Sequence, residues 1–365
     1  MNKKKVVFYS IIPSPYQRDL FLEISRCKEL DLKVYYLEPA CSDSPWPEKP
    51  LQPYEQILPG FHLSWGLSRF HFNWHSLSTN QADMIVLNGY MNLTTQIILR
   101  MQAKKIPCIF WGEKMIGSSE GMKEKLQKYI AQSLNNCSAI VAIGKQAQQD
   151  YQQKFPGKPV FNIPYYCEIS HFSRKIPHRP RNPVTILFCG QMIVRKGVDI
   201  LLQAFNNLIQ TGENAKLLLV GREAELPQLL ENLPQKTLQA IEYVGFQAPE
   251  NLPQFFYQAD LFVLPSRYDG WGVVVNQAIG AGLPVICSDG VGSGYDLVTS
   301  SENGDIFTNG NCKALTEVLR KYLHQPDKIE NASAASLRKA ADLSPAIGAR
   351  KWVNLFDKIT LNYLK

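Results

Sequence analysis

Short apolar runs alternate with amphipathic stretches along most of this chain of 365 residues. The apolar runs are rich in β-branched residues and have the length of buried strands, whereas the stretches between them repeat apolar residues with helical spacing. In the first half the predicted strands are 6–12, 32–37, 84–87, 108–111, 139–142 and 160–163, and the predicted helices are 16–27, 93–104, 122–136 and 144–154. In the second half the predicted strands are 185–189, 216–220, 241–244, 261–264 and 284–287, and the predicted helices are 196–210, 224–233, 252–258, 271–282, 312–323, 327–342 and 346–362.

This alternation predicts an α/β protein with two Rossmann-like parallel-sheet domains that face each other across a cleft. We predict a first domain over residues 1–171 and a second over residues 184–345, because a basic segment with three prolines, 172–183, has the composition of a linker. The segment 346–365 is expected to carry a helix that crosses back to the first domain. Ligands of such sheets bind at the carboxyl ends of the strands, in the crevice between the domains.

The irregular stretch 39–82 is rich in proline and aromatic residues, and it fits either an insertion that lines the cleft or a packed loop. It contains His71 and His75, which have helical i,i+4 spacing. Because no third ligand accompanies them, we predict that the two histidines do not bind a metal ion. The D-x-D sequence that many metal-dependent transferases use is also absent from the chain.

The composition, 45% hydrophobic and 19% charged, is that of a globular protein with enough apolar residues for two cores. The net charge is +7, and residues 1–175 hold all of it, with 21 Lys and Arg against 14 Asp and Glu. A basic half favours an anionic partner. A lipid surface is the favoured partner and nucleic acid is not expected, because the first half lacks the aromatic–basic motifs of RNA- and DNA-binding proteins.

The eight cysteines are scattered and form no C-x-x-C pair, which indicates a reducing compartment. The apolar run near the N-terminus is too short for a signal peptide, and no apolar run is long enough to predict a membrane span. The expected location is the cytoplasm, and peripheral binding to the cytoplasmic face of the membrane is a second possibility that stays open. The segment 120–134 fits an ordinary amphipathic surface helix, which is favoured, or a helix that lies on anionic lipid.

The most informative segment, residues 265–285, follows an apolar strand and reads PSRYDGWGVVVNQAIGAGLPV. Asp269 falls in the loop at the carboxyl end of the strand, and Gln277 lies eight residues later in the predicted helix. Glycines in this loop let backbone N–H groups at the helix start face an anion or a sugar hydroxyl. Taken alone, Asp269 and Gln277 also fit residues that merely cap and decorate a helix.

This segment resembles the E-x7-E element of retaining family-four glycosyltransferases, the group 1 type with the GT-B fold. The resemblance implies that Asp269 holds hydroxyl groups of the donor sugar and that Gln277 holds the ribose. It also implies donor contacts from the loop between them, residues Gly270, Trp271, Gly272 and Val273. Gln277 departs from the family pattern because it replaces a carboxylate by a neutral amide.

A second segment, residues 186–201, ends a strand at Gly190 and begins a helix near Lys196. The resemblance implies that Lys196 binds the diphosphate, since an ammonium and a helix N-terminus both stabilise that leaving group. Gly190 and Gln191 are further implied donor contacts. Gln191 stands where the family has arginine, and Arg195, adjacent to Lys196, is a candidate to compensate for that charge. In a third segment the resemblance implies that Gly245 and Phe246 read the nucleotide base.

The first half matches the family more loosely. Tyr16 and Arg18, at the start of the first helix, are candidate acceptor-side residues. Glu113 ends a strand and is a candidate acceptor-side residue or catalytic base, with a surface salt bridge as the alternative.

The resemblance thus implies a hexosyltransferase that takes a sugar from a nucleotide diphosphate sugar with retention of configuration and uses no metal or other cofactor. The implied catalytic residues are Asp269, Lys196 and Glu113. The implied acceptor is a saccharide or lipid-linked saccharide of surface polysaccharide or glycolipid synthesis. Two alternatives stay open: a non-catalytic partner subunit, which Gln191 and Gln277 suggest, and a nucleotide-sugar epimerase, for which no acid/base pair is evident.

Overall fold

A computed structural model describes residues 3–40, 49–65, 68–72, 82–115, 121–174 and 176–363. The chain divides into two compact units. The first unit comprises Met1–Cys167 and Pro345–Lys365, and the second comprises Glu168–Ser344. Among the described helices, none combines the length and the apolar composition that a membrane span requires.

The first unit is built on a parallel sheet of seven strands. In chain order its elements up to Cys167 are β1 (Lys4–Ser10), α1 (Pro15–Ser25), β2 (Leu30–Tyr36), β3 (Glu55–Ile57), β4 (Phe61–Trp65), β5 (Ser68–Phe72), β6 (Met84–Asn88), α2 (Leu93–Met101), β7 (Cys108–Gly112), α3 (Met122–Ala131), β8 (Ala139–Ala142), α4 (Lys145–Lys154) and β9 (Val160–Asn162). The strand order is β3-β2-β1-β6-β7-β8-β9. Strands β7 and β8 are buried along their whole length, as their uninterrupted apolar sequences require for a sheet covered on both faces.

The second unit is built on a parallel sheet of six strands. Its elements are β10 (Val184–Cys189), α5 (Val198–Gln210), β11 (Ala215–Val220), α6 (Leu226–Leu230), α7 (Gln235–Leu238), β12 (Ile241–Tyr243), α8 (Leu252–Gln258), β13 (Leu261–Leu264), α9 (Val274–Gly280), β14 (Val285–Ser288), α10 (Gly294–Leu297), β15 (Gly304–Phe307), α11 (Cys312–His324) and α12 (Pro326–Ala340). The strand order is β12-β11-β10-β13-β14-β15. The predicted α/β class with two parallel sheets is therefore confirmed.

The last helix, α13 (Pro345–Tyr363), belongs to the first unit. Its buried Trp352 and Phe356 pack against Phe8 of β1, with ring centroids 5.3 and 6.3 Å apart. Lys4 and Asp357 form an ion pair of 2.9 Å at the edge of this contact. The helix thus covers the sheet of the first unit.

The predicted linker, residues 172–183, lies within the second unit. The fully buried carboxylate of Asp260 fastens this segment to the start of β10. It accepts hydrogen bonds from the backbone N–H groups of Arg181 and Thr185, at 3.1 and 2.6 Å, and it contacts the His178 ring. Its prolines predicted a linker between two domains. In the structure, the buried carboxylate of Asp260, distant in sequence, holds this segment against the second unit.

The stretch 39–82, predicted to be irregular, contains β3 and a hairpin of β4 and β5 in the described residues. His62 of β4 lies opposite His71 of β5, and both imidazoles face the carboxylate of Glu38. His75, the other residue of the predicted non-metal pair, lies outside the described residues. The alternation of apolar and polar residues over 61–65 is a strand pattern that the many prolines before it obscured.

Candidate functional site

The strand order of the second sheet reverses between β10 and β13. Strands β11 and β12 follow β10 on one side, while β14 and β15 follow β13 on the other. In an open α/β sheet the loops at the carboxyl ends of two such strands run to opposite faces, and the crevice between them is the ligand site. The loops at this point are residues 190–197 and 265–273, so the two strongest sequence motifs meet at one edge of the sheet.

The loop after β10 turns sharply into α5. A short 3-10 helix, Val194–Lys196, leads to Gly197, whose φ of +73° is a conformation that L side chains rarely adopt. A Cβ at Gly197 would also overlap the carbonyl oxygen of Pro265 in the loop after β13. This close approach brings Lys196 and the start of α5 against the second loop.

Lys196 and Asp269 lie side by side in this crevice. The Lys196 ammonium donates a hydrogen bond to the Asp269 carboxylate, and the two side chains are 19% and 13% exposed. The Asp269 backbone is fixed by Gly290 and Gly292, because its N–H bonds to the first at 2.9 Å and its carbonyl accepts from the second at 3.0 Å. An ammonium and a carboxylate held together suit a ligand that offers both negative charge and hydroxyl groups.

The loop between Asp269 and α9 is tightly packed. Trp271 is buried, and its indole N–H donates to the Asn276 side chain at 2.9 Å, so it supports the loop from within. Gly272 has a φ of +85°, and the helix predicted over 271–282 begins only at Val274. The helix starts later than predicted because the chain passes through this left-handed residue first. Gly270 and Val273 lie on either side of the turn, with the Gly270 carbonyl held close to Gly292.

Two glutamines predicted at the donor site, Gln191 and Gln277, are half-buried. Neither side chain forms a hydrogen bond with another described residue. Gly245, with a φ of +74°, accepts a hydrogen bond of 2.9 Å from the Gly221 N–H, and the neighbouring Phe246 is exposed. The four predicted positions therefore present groups that a ligand can contact.

Arg195 and Arg267 join the two loops. The Arg195 guanidinium donates to the Tyr268 carbonyl at 3.1 Å, and its own carbonyl accepts from the Arg267 N–H at 2.8 Å. Arg267 forms a two-point ion pair with Asp199 in the first turn of α5, at 2.6 and 2.7 Å. The sequence did not single out this pair, although Arg267 lies inside the recognised motif. It locks the loop after β13 to the helix after β10.

In the first unit, Glu113 and Tyr16 approach the same residue. Glu113 follows β7, and its carboxyl group is hydrogen-bonded to the buried Tyr165. The Tyr16 ring packs edge-on against Tyr165 with centroids 4.7 Å apart. Sequence reasoning missed Tyr165, because nothing in the local sequence after β9 marks it.

Arg18 lies elsewhere in the first unit. Its guanidinium donates to both carboxylate oxygens of Glu55 in β3, at 3.0 and 2.7 Å, and to the carbonyl of Pro50 at 2.6 Å. The structure engages this predicted acceptor-side residue in a partly buried ion pair, and its contact with the acceptor stays a prediction. A carboxylate 37 residues away in sequence decides its direction.

Within the described ranges, no three His, Cys, Asp or Glu side chains form a group that could hold a metal ion. Cys189, the last residue of β10, is the thiol nearest to Lys196 along this loop. Burial raises its pKa to about 12, so the thiol keeps its proton and is a poor nucleophile. The reactive groups of the site are thus the charged and amide side chains, together with the backbone at the loop turns.

Comparison with known families places this site in a wider context. Residues 170–341 match the family described as glycosyl transferases group 1. An uncharacterized glycosyltransferase of Haemophilus influenzae is 28% identical over 251 residues, which are 67% of this chain and 67% of that protein. The O-antigen chain mannosyltransferase B of Escherichia coli is 25% identical over 60% of each chain. The alignment with the lipopolysaccharide core biosynthesis mannosyltransferase LpsB of Rhizobium meliloti spans 45% of that relative, at 28% identity and over 42% of this chain.

Solved structures resemble the chain over nearly its full length. Sucrose-phosphate synthase from Thermosynechococcus elongatus superposes with a TM-score of 0.75 at 15% identity, over 99% of this chain and 100% of the other. Anabaena Alr3699/HepE in complex with UDP superposes with a TM-score of 0.72 at 16% identity, over 97% of this chain and 100% of the other. At these identities the likeness concerns the fold, and it confirms the predicted GT-B architecture.

Proposed function

We propose that this chain transfers a sugar from a nucleotide diphosphate sugar to a saccharide, because residues 170–341 match the glycosyl transferases group 1 family and the chain has the GT-B fold. The observation that carries this proposal is the contact of Lys196 with Asp269 at the switch point of the second sheet. Anionic diphosphate and neutral sugar hydroxyls require opposite partners at a short separation, and this pair supplies both.

In the proposed reaction the acceptor hydroxyl attacks the sugar C1 atom on the face that the diphosphate leaves, so the configuration is retained. The new bond joins the acceptor oxygen to C1, and the bond from C1 to the phosphate oxygen breaks. That departing oxygen takes the proton of the acceptor hydroxyl. Lys196 and the start of α5 stabilise the leaving diphosphate, and they supply positive charge that does not depend on a metal ion.

The proposal includes further donor contacts, which the family resemblance implies. Asp269 accepts hydrogen bonds from sugar hydroxyl groups, and Gln277 accepts from the ribose. Gly245 and Phe246 contact the base, and Gln191 and Arg195 lie beside the diphosphate. Similarity to HepE, whose structure contains UDP, supports a nucleoside diphosphate in this crevice.

The proposed acceptor is a saccharide or lipid-linked saccharide of a surface polysaccharide. Similarity to O-antigen and lipopolysaccharide core mannosyltransferases supports this class. We place the protein in the cytoplasm, with the first unit on the anionic inner face of the membrane, because residues 1–175 carry the whole net charge of +7. Helix α3 exposes apolar Leu126 and Tyr129 beside the basic Lys125 and Lys128, as a helix on a lipid surface does.

The proposal is tested with UDP-, GDP- and ADP-linked hexoses, with release of the nucleoside diphosphate as the readout, in buffer with and without EDTA. We expect one donor to be turned over, with water or a simple sugar as acceptor, at the same rate in both buffers. If the wild-type protein binds a nucleoside diphosphate but turns over no donor, the non-catalytic partner subunit replaces the transferase. A rate lost in EDTA would contradict metal independence alone.

Replacing Gln277 with glutamate is expected to lower the Kd of the accepted nucleotide about tenfold. A charged acceptor gains about 1–1.5 kcal/mol over a neutral one in a hydrogen bond to a ribose hydroxyl. Titration calorimetry with the free nucleoside diphosphate measures the change. The control is Gln254→Glu, which adds the same charge at an exposed position of α8 and is expected to leave the Kd unchanged. Equal Kd values in both variants would place the ribose away from Gln277.

A further inference from the structure

A chain of buried polar side chains runs along the carboxyl edge of the first sheet. Ser10, the last residue of β1, donates from its hydroxyl to the Gln17 side-chain carbonyl at 2.7 Å. Gln17 and Glu113 both hydrogen-bond to the hydroxyl of Tyr165, which follows β9. Ser10, Gln17 and Tyr165 are only 2%, 4% and 5% exposed, whereas Glu113 is half-buried. The chain therefore ends at its least buried member.

The donors in this chain all point toward Glu113. Since the Gln17 carbonyl accepts from Ser10, the amide N–H₂ of Gln17 is the group that donates to the Tyr165 oxygen. The Tyr165 O–H is then left to donate to the Glu113 carboxylate. Burial raises the pKa of Tyr165 well above its usual range, so the hydroxyl keeps its proton and remains a donor. Each bond in such a series polarises and strengthens the next.

Aromatic packing fixes the tyrosine at the centre of the chain. The rings of Tyr16 and Trp111 meet the Tyr165 ring at 62° and 70°, with centroid separations of 4.7 and 5.4 Å. Trp111 is itself buried, and its indole N–H donates to the Ile163 carbonyl at 3.3 Å. The direction of the Tyr165 hydroxyl is therefore set by rigid neighbours.

We propose that Tyr165 is a positioning residue that holds the Glu113 carboxylate as a hydrogen-bond acceptor for hydroxyl groups of the saccharide acceptor. The inference rests on the proposed transferase function and names a saccharide contact within the first unit. A carboxylate has about four lone-pair sites, so the bond from Tyr165 orients Glu113 and leaves capacity for a sugar hydroxyl. Burying a polar side chain costs free energy unless its hydrogen bonds are satisfied. An ordinary surface salt bridge of Glu113 would not require three buried polar residues behind it.

The test is direct saccharide binding to the full-length protein, which requires no turnover. An array of oligosaccharides that end in glucose, galactose, mannose or N-acetylglucosamine identifies the tightest probe, which is then titrated against each variant. Tyr165→Phe, which removes only the hydroxyl, is expected to raise the Kd about tenfold, as loss of a hydrogen bond to a charged group does. Glu113→Gln is expected to raise it at least as much. The double variant is expected to match Glu113→Gln alone, because Tyr165 acts through Glu113.

Tyr166→Phe is the matched control. Tyr166 is the adjacent buried tyrosine, and its hydroxyl contacts the Lys351 ammonium on α13. We expect this variant to bind the probe as the wild type does and to melt within a few degrees of Tyr165→Phe. Additive effects of Tyr165→Phe and Glu113→Gln, equal binding by the two Tyr→Phe variants, or no binding of the wild type to the array would each overturn the inference. Release of nucleoside diphosphate to water by Tyr166→Phe is expected to equal that of the wild type, and its absence from the wild type would instead contradict the proposed function.

Discussion

Replacing Asp269 with asparagine is expected to lower kcat/KM for the accepted nucleotide sugar by about 100- to 1000-fold, the range found when one positioned polar group is lost from a charged transition state. Asparagine keeps the size of the side chain but loses the charge beside the Lys196 ammonium. It also donates where the carboxylate only accepts. Initial rates of nucleoside diphosphate release measure the change.

The control for this variant is Glu302→Gln, which removes one negative charge from an exposed position of the same unit. It is expected to keep the wild-type kcat/KM and the wild-type melting temperature. If Asp269→Asn retained more than a tenth of the activity, the Lys196–Asp269 contact would be a structural ion pair and the donor sugar would bind elsewhere. Lys196→Met distinguishes a donor site from a structural ion pair. If the ammonium binds the diphosphate, its loss in this variant weakens binding of the free nucleoside diphosphate.

The sequence predicted the second unit well because its motifs are local. The strand, the turn and the start of the next helix are contiguous in residues 265–285, and the same holds for residues 186–201. Parallel strands place their carboxyl ends at one edge of the sheet, so two local motifs were enough to bring Lys196 and Asp269 to one crevice. What the motifs did not reveal was the direction of each side chain. The side chain of Trp271, for example, is buried, and its donor contact stays a prediction.

The side-chain contacts that the sequence did not predict join residues that are distant along the chain. Arg18 is engaged by Glu55, 37 residues away, and no local pattern announces that partner. Tyr165 joins Gln17 and Glu113 because the start of α1 and the segments that follow β7 and β9 meet in the first unit. Such pairings depend on strand order, which the alternation of strands and helices leaves undetermined.

The segment 172–183 shows the same limit of composition. Proline and basic residues mark segments without regular structure, and the described residues of this segment after Phe172 form no helix or strand. Its place is set by Asp260, which lies at the start of β13 and satisfies two backbone N–H groups near the start of β10. A buried carboxylate requires hydrogen-bond donors, and backbone N–H groups in and next to this segment supply them.

Replacing Gly197 with alanine is expected to lower the free energy of unfolding of the second unit by about 3 kcal/mol or more. Alanine at a φ of +73° costs about 1–2 kcal/mol by itself. The added Cβ also overlaps the Pro265 carbonyl oxygen, and forcing β10 and β13 apart at that point adds about 1–3 kcal/mol. Calorimetry of the full chain is expected to show a melting transition lowered by about 6–12 °C.

Gly212→Ala is the matched control for this second prediction. Gly212 has a φ of +89° in the same unit, and no described atom lies within 4 Å of the position that its Cβ would take. This variant carries the backbone strain of about 1–2 kcal/mol without the close approach, so its transition is expected to fall less, by about 2–8 °C. The additional lowering of the melting temperature in Gly197→Ala then measures how tightly the loops after β10 and β13 are held together. Equal losses in both variants would mean that the loops move apart at little cost. They would then not hold Lys196 and Asp269 in place before the donor binds.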